Sequence, residues 1–420
     1  MRGASQIRGV LISGAIPRAI AAMLSLSTIV RNEEGQIGRC LASVSGFCDE
    51  LVVLDTGSTD NTKTLAAEAG ARVESMEWPG DFAPARNRAL ELVQGDWVLV
   101  LDADEFLLAD AKPALQALMA QPDVLVINLL RFEAGAAQAP YSSVSRLFRH
   151  HPGLSWNRPY HASIDDSVET LLLQEPHWRV VDCPEPALVH TGYQLESLVA
   201  GNKAERLRQA MEAVLADHPG DPYACAKLGG LEIESGAVEK GIALLEQGLA
   251  NCSSGQAAER YELQLHLGIA HAHSDLSRAE RHYRAALEEP LNPRLSIGAR
   301  LNLGALLMRQ NKLDEAANYT EAVTRHAPEV ALAWYNLGLI RRKANNIGAA
   351  LEAYETALEL APNNPEIHQN LGAAQLLGGN FEAARVSFLN AIGFLLAEGR
   401  EEEARELAAK AGELVKLDAA

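Results

Sequence analysis

The chain has 420 residues, 48% of them hydrophobic, and a formal net charge of -18. That length supports two or three domains with cores of their own, and the hydrophobic share is that of a globular protein, not a disordered one. Residues 1–195 hold 15 Lys+Arg against 24 Asp+Glu, so each part carries -9 and neither offers the basic surface that a nucleic-acid backbone demands.

Residues 1–22 carry Arg2, Arg8 and Arg18 and no acid. Pro17 and Arg18 interrupt their apolar run, which is too short to span a bilayer. We read this stretch as an N-terminal extension ahead of a start at Met23; a weak signal peptide or a surface-binding helix is the alternative. Nothing further along reads as transmembrane. Cys40, Cys48, Cys183, Cys225 and Cys252 contain no CxxC pair and are odd in number, so they read as reduced thiols and not as a disulfide framework or zinc site. The expected location is the cytoplasm, with the inner face of the membrane as a peripheral site.

Residues 23–195 alternate strands with helices. Strands are expected at 24–30, 51–54, 72–75, 97–101 and 124–131. Helices are expected at 34–46, where Ile37, Leu41 and Val44 share a face, after Asp60 as a cap, and at 84–94. This order predicts a mostly parallel sheet with helices on both faces, with ligands at the carboxyl ends of its strands. Asp55 and Asp102 stand at two such ends.

Residues 196–220 read as a linker helix ending at His218-Pro219-Gly220. Residues 221–420 are repetitive. Gly304, Gly338 and Gly372 recur every 34 residues, as do Ala316, Ala350 and Ala384, and Pro328 and Pro362. A 34-residue period with Leu-Gly, Ala, an aromatic, Ala and Pro marks the tetratricopeptide repeat. The unit from Ala331 to Asn364 fits best, with Trp334, Leu337, Gly338, Ala350, Tyr354, Ala357 and Pro362. Weaker units begin near Asp221 and Tyr261, making an array of five units. The charged C-terminal stretch suits a capping helix.

The chemistry gathers at strand ends. Asp102-Ala103-Asp104-Glu105 follows the apolar WVLVL. Two carboxylates at this spacing can face one cleft and share a hard cation that phosphate oxygens and water complete. Alone, such a motif is also an ordinary acidic turn. It is accompanied by Arg31-Asn32-Glu33-Glu34 after the first strand, by Asp55-Thr56-Gly57-Ser58-Thr59-Asp60-Asn61-Thr62 after the second, and by Ala85-Arg86-Asn87 in the helix before the WVLVL strand.

With STIVRNEE, VVLDTGSTDNT and FAPARNRALELVQGDWVLVLDADE on one chain, residues 24–195 resemble the family 2 glycosyltransferases of the GT-A fold. The resemblance implies a nucleotide-sugar donor, a UDP-sugar favoured, and Mn²⁺ or Mg²⁺. It implies that Val30, Arg31 and Glu33 line the nucleoside pocket, that Asp55 accepts from the base and that Arg86 faces the diphosphate or the sugar. Asp102 would contact the ribose or the metal, Asp104 would ligate the metal, and His190 in LVHTGY would join it. Relatives read Arg-Leu-Phe-Arg, a gap, then His-Glu. Here Arg146-Leu147-Phe148-Arg149 and His161 are present, but Ala162 stands where the Glu is expected. The base that deprotonates the acceptor in an inverting displacement is then sought among Asp165, Asp166 and Glu133, the last placed on a loop after the 124–131 strand.

The reading is therefore a metal-dependent inverting transferase acting on a peptide, protein or glycan. Its repeats would present the acceptor, bind a protein partner or form a homodimer. The alternative is a degenerate transferase that still holds nucleotide and serves as a repeat scaffold. A nucleotidyltransferase ranks last, because RNEEGQIG is too acidic for a phosphate loop.

Overall fold

The computed structural model describes residues 22–136, 140–157, 162–191 and 200–415, with backbone alone at 200–203. The N-terminal extension to residue 21, His161 and the start of the linker at 196–199 lie outside the described residues.

The first part holds β1 (Leu24–Val30), α1 (Ile37–Val44), β2 (Glu50–Asp55), α2 (Thr62–Glu68), β3 (Arg72–Ser75), α3 (Phe82–Leu90) and β4 (Trp97–Val100). It continues with β5 (Glu105–Leu107), α4 (Lys112–Met119), β6 (Val124–Glu133), β7 (Tyr141–Arg149), α5 (Asp165–Gln174) and β8 (Arg179–His190). All eight strands form one sheet in the order β3-β2-β1-β4-β7-β6-β8-β5. β1 to β4 pair in parallel. Beyond β4 the sheet is mixed: β7 runs antiparallel to β4 and β6, while β8 is parallel to β6 and antiparallel to β5.

Helices cover both faces because their apolar stripes require it. Ile37, Cys40, Leu41 and Val44 fall on one side of α1 and pack with Ala66 of α2 and Leu115 of α4 under Leu26, Leu99 and Ile127. On the opposite face Ala83 and Leu90 of α3 and Val168 and Leu171 of α5 pack on Val98, Val100 and Phe148. Asp60 does not cap α2 with its own backbone, since the cap residue is Asn61; its carboxylate instead takes the Thr62 N–H and hydroxyl.

The second part is all helix: α6 (Ala200–Asp217), α7 (Pro222–Glu234), α8 (Val238–Asn251), α9 (Ala257–His271), α10 (Leu276–Leu287), α11 (Ile297–Arg309), α12 (Leu313–His326), α13 (Ala331–Lys343), α14 (Ile347–Leu360), α15 (Pro365–Leu377), α16 (Phe381–Ala397) and α17 (Glu401–Gly412). α7 to α16 make five helix pairs. Each pair closes on a glycine in its first helix. A Cβ on Gly338 would stand 2.5 Å from the Tyr354 ring of α14, so only glycine permits the approach. The 34-residue period thus records one steric requirement.

The two parts share a core. Leu130 of β6 and Tyr141 of β7 are buried with Ile297, Leu301, Val323, Ala327, Val330 and Ala333 of α11 to α13. The Tyr141 hydroxyl donates to Glu329 and accepts from Arg294 Nη1 at 3.1 Å. Arg294 also reaches Glu185 at 3.2 Å, and Asn292 Nδ2 donates to the Pro184 carbonyl at 2.9 Å. Each apolar side chain buried there contributes about 1.5–3 kcal/mol.

Candidate active site

Two loops at the carboxyl ends of β1 and β2 are stapled together. Asn32 takes a left-handed conformation, φ 58°, which asparagine tolerates. Its N–H donates to Ser58 Oγ at 2.9 Å, and its side-chain oxygen accepts from Thr59 N at 2.8 Å. Glu33 N donates to Thr62 Oγ1 at 2.7 Å. The Val30 carbonyl is spent on Thr56 N at 2.9 Å, and Arg31 is exposed. Asp55 is 1% exposed and forms the turn, with its carboxylate accepting from Gly57 N and Ser58 N at 3.1 Å. Glu33 is half-buried at the rim. Burial first, then the charges of Asp104, Asp102 and Asp60, push its pKa up to about 7, which marks a site crowded with carboxylates.

The two aspartates of Asp102-Ala103-Asp104 part company. Asp102 accepts from Arg86 Nη2 at 2.6 Å and from Arg146 Nη2 at 2.9 Å. Burial acts to raise its pKa, but the two guanidinium groups outweigh that and hold it well below the carboxylate range. Both arginines lie beside the Trp156 ring, at 4.7 and 5.8 Å, and Asn87 of α3 pins the Trp156 backbone at 2.7 and 2.9 Å. Arg86 is 6% exposed, yet its Nε and Nη1 have no hydrogen-bond partner, nor does Arg146 Nη1. Such donors are rare in a folded interior and await an acceptor.

Asp104 turns to the other side. Its Oδ2 lies 3.0 Å from His190 Nε2, and His190 Nδ1 lies 2.7 Å from Glu133 Oε2. Burial disfavours the charged ring, but the bonds to Asp104 and Glu133 prevail and raise the His190 pKa to about 10. Glu133 also accepts from Ser142 Oγ at 2.5 Å and Arg131 Nε at 2.8 Å. Burial opposes ionisation there as well, but these partners hold its pKa at about 2.

Glu105 connects the two halves. It is 1% exposed, accepts from Asp102 N at 2.9 Å and takes Arg131 Nη1 at 2.5 Å, with Arg146 Nη1 at 3.9 Å. Charge therefore alternates along Arg86, Asp102, Arg146, Glu105, Arg131, Glu133, His190 and Asp104. Sequence reasoning quoted Glu105 and Arg146 inside motifs without giving them work, and missed Arg131. The sign available was a charge inside an apolar strand, as in LLRFE.

One expectation is corrected. Glu133 is not on a loop: it ends β6, because Phe132 pairs with Tyr141 and Glu133 with His190. Asp165 and Asp166 form the first turn of α5, where the helix dipole favours negative charge. Asp165 accepts from Ser145 Oγ at 2.7 Å and Ser163 Oγ at 2.6 Å. Ser145 adjoins Arg146 at a register shift between β6 and β7. A bulge of this kind re-aims side chains, and it places Asp165 next to the network instead of within it.

Among the described residues, those that would hold a divalent cation are Asp104 and His190. Asp104 and His190 converge, and Glu133 buttresses the far ring nitrogen as an outer carboxylate does for a metal-ligating histidine. Among the described residues no group of three or more His, Cys, Asp and Glu side chains forms a protein-only cage. Two protein ligands suit a hard ion whose remaining positions phosphate oxygens fill. Asp102 is held by Arg86 and Arg146.

Buried guanidinium nitrogens without a partner and a carboxylate–histidine pair thus gather at the carboxyl ends of the parallel strands. Residues 25–180 match the family model described as glycosyl transferase family 2, and residues 301–365 and 341–393 match tetratricopeptide repeat models. A tetratricopeptide-repeat-containing protein of Synechococcus elongatus is 42% identical over 92% of this chain and 96% of its own length. An uncharacterised glycosyltransferase of Rickettsia bellii is 27% identical over 42% of this chain and 63% of its own. The glycosyltransferase SunS of Bacillus subtilis is 34% identical over 19% of this chain and 20% of its own. The solved repeat protein YrrB aligns with 47% of the chain at 16% identity and a TM-score of 0.37. The chain belongs to the family 2 glycosyltransferases, as a member that carries a tetratricopeptide array behind its catalytic domain. Among the described residues no helix is long and apolar enough to cross a membrane.

Proposed function

We propose that this transferase takes a sugar from a nucleoside-diphosphate sugar, a UDP-sugar favoured, and passes it with inversion to a peptide, protein or glycan acceptor. The observation that carries the reading is Arg86, whose buried guanidinium holds Asp102 through one nitrogen and keeps the other two unpartnered. In this reading Arg86 binds the diphosphate, and Asp102 holds Arg86 and Arg146 in place from the sheet side. Glu33 and the loop around Arg31 line the nucleoside pocket, and Asp55 shapes the turn under the base. Asp104 and His190 would hold Mn²⁺ or Mg²⁺, which supplies charge neutralisation for the departing diphosphate.

Of the three base candidates, Glu133 is the poorest. Its oxygens are occupied by Ser142, Arg131 and His190, and a carboxylate held near 2 is a weak proton acceptor. Its work is to orient His190. Asp165 and Asp166 remain, in the first turn of α5.

The test is donor turnover by the full chain with a panel of UDP- and GDP-sugars and Mn²⁺. Release of nucleoside diphosphate from at least one donor, lost in Arg86→Ala, supports the reading. No release from any donor counts against it. Full turnover by Asp104→Ala would remove the metal assignment alone.

A further inference from the structure

The outer face of the second helices keeps one register through the last three repeats. It carries Asn318, Glu321 and Arg325 on α12, and 34 residues later Glu352, Glu355 and Glu359 on α14. The same positions on α16 are Val386, Leu389 and Gly393. A face suited to water in two repeats is thus apolar in the third. α16 also has 17 residues where α12 and α14 have 14, and its extra turn adds Leu396. Val386, Leu389, Gly393 and Leu396 follow the i, i+3, i+7, i+10 spacing of one helical stripe, and all four are exposed. A different side of α16 packs within the chain, with Ala384, Phe388, Ala391 and Leu395 against Leu376 of α15 and Leu407 of α17. Glycine destabilises an exposed helix. A Cβ on Gly393 would meet nothing within 4 Å, so packing inside one chain gives no reason for glycine there. Each end of the stripe bears an acid followed by a base: Glu382 pairs with Arg385 at 2.8 Å, and Glu398 with Arg400 at 3.0 Å. Arg400 also reaches Glu366 and Glu403.

We propose that this stripe is a homodimer contact, in which α16 packs antiparallel on α16 of a second copy about a two-fold axis level with Ala391. The reversal sets Val386 against Leu396 of the second copy, and Leu389 against its Gly393, where the missing side chain lets the helices come close. Glu382 then faces Arg400, and Arg385 faces Glu398, so no like charges meet at the ends of the stripe. A patch complementary to itself under a two-fold rotation is what an isologous dimer requires. A lipid surface suits it poorly, because Glu382 and Glu398 flank the stripe and anionic headgroups repel them. The stripe is short, and each copy carries a net charge of -18. The dimer is therefore weak, with a dissociation constant on the order of 10–100 µM. Salt screens the repulsion between the copies and tightens it. The contact does not depend on the transferase reading.

The test is sedimentation velocity of the full chain from about 1 to about 200 µM, at low salt and at about 0.5 M NaCl. The expected result is a monomer–dimer equilibrium that shifts towards dimer at high salt. The double variant Val386→Glu, Leu389→Glu gives α16 the residues that α14 carries at the same positions. It should stay monomeric over the whole range, with its thermal midpoint in dilute solution unchanged, because both side chains are exposed. Glu398→Arg should weaken the dimer about threefold or more by setting two cations opposite each other, and adding Arg385→Glu should restore it. A wild type that is monomeric at every concentration overturns the proposal and leaves the stripe to a different protein. A dimer untouched by the double variant, or one that salt dissociates, overturns it as well. Failure of Arg385→Glu to restore the dimer overturns the two-fold pairing.

Discussion

Asp104 and His190 meet side chain to side chain, Oδ2 to Nε2 at 3.0 Å, although 86 residues separate them in sequence. β5 and β8 bring them together by pairing Glu105 with His190. In the metal-free chain this contact is an ion pair, with the imidazolium shared between Asp104 and Glu133.

A pH dependence of stability follows. The folded His190 pKa, about 10, lies above its ordinary value of 6.5. The stabilisation is therefore full below about pH 6.5 and is lost as pH rises through 10. Urea melts of the metal-free protein should show stability falling across that window, by no more than about 1.4 kcal/mol per pH unit for one proton. His190→Gln should flatten the slope; an unchanged slope would contradict the assignment.

Cation binding should displace that proton. Calorimetry with Mn²⁺ at pH 8 in buffers of different ionisation enthalpy should report close to one proton released per ion. His190→Gln should bind more weakly and release none. Equal proton release by the variant would place the ion elsewhere.

Asp102→Asn should damage the fold more than Asp104→Asn. It leaves Arg86, 6% exposed, without its ion-pair partner and Arg146, 12% exposed, with Glu105 at 3.9 Å as the remaining counter-charge. Breaking a buried pair costs about 3–5 kcal/mol, and the third of the Asp102 side chain that is exposed reduces this to about 2–3 kcal/mol. Asp104→Asn should cost about 1 kcal/mol in the metal-free protein, since Glu133 still holds His190. Chemical denaturation distinguishes the two; equal losses would contradict the network.

Two glycines in the array should respond in opposite directions. Gly338→Ala places a methyl 2.5 Å from the Tyr354 ring and should destabilise by about 1–3 kcal/mol. Gly393→Ala on α16 meets nothing within 4 Å and should stabilise by about 0.5–1 kcal/mol. Thermal midpoints that moved the same way would overturn this account of the repeat.

Leu301→Ala opens a cavity between catalytic sheet and array. At 4% exposure it should cost about 2–5 kcal/mol. Because Leu130 and Tyr141 flank Arg131 and Ser142 on β6 and β7, donor turnover should fall with it, which side-by-side melts and nucleotide-release assays would show.

What the sequence by itself determined was local and periodic. Apolar stripes such as Ile37, Leu41 and Val44 placed the first helices and strands to within a few residues, because burial of one face is decided by spacing alone. The 34-residue recurrence of Gly304, Gly338 and Gly372 specified the array, because each glycine answers one local steric demand. The motifs after β1, β2 and β4 located the cluster of charged residues at the strand ends, because loops gather there in any parallel sheet. Only the tertiary structure decided how the charges pair. Asp102 and Asp104 look alike in sequence, yet one is claimed by Arg86 and Arg146 and the other by His190, partners that lie 16, 44 and 86 residues away. Glu133, expected on a loop, ends β6 and bonds His190, since β8 pairs alongside β6. Ion pairing depends on distances of a few ångströms between residues remote in the chain, and spacing along the sequence carries no record of them.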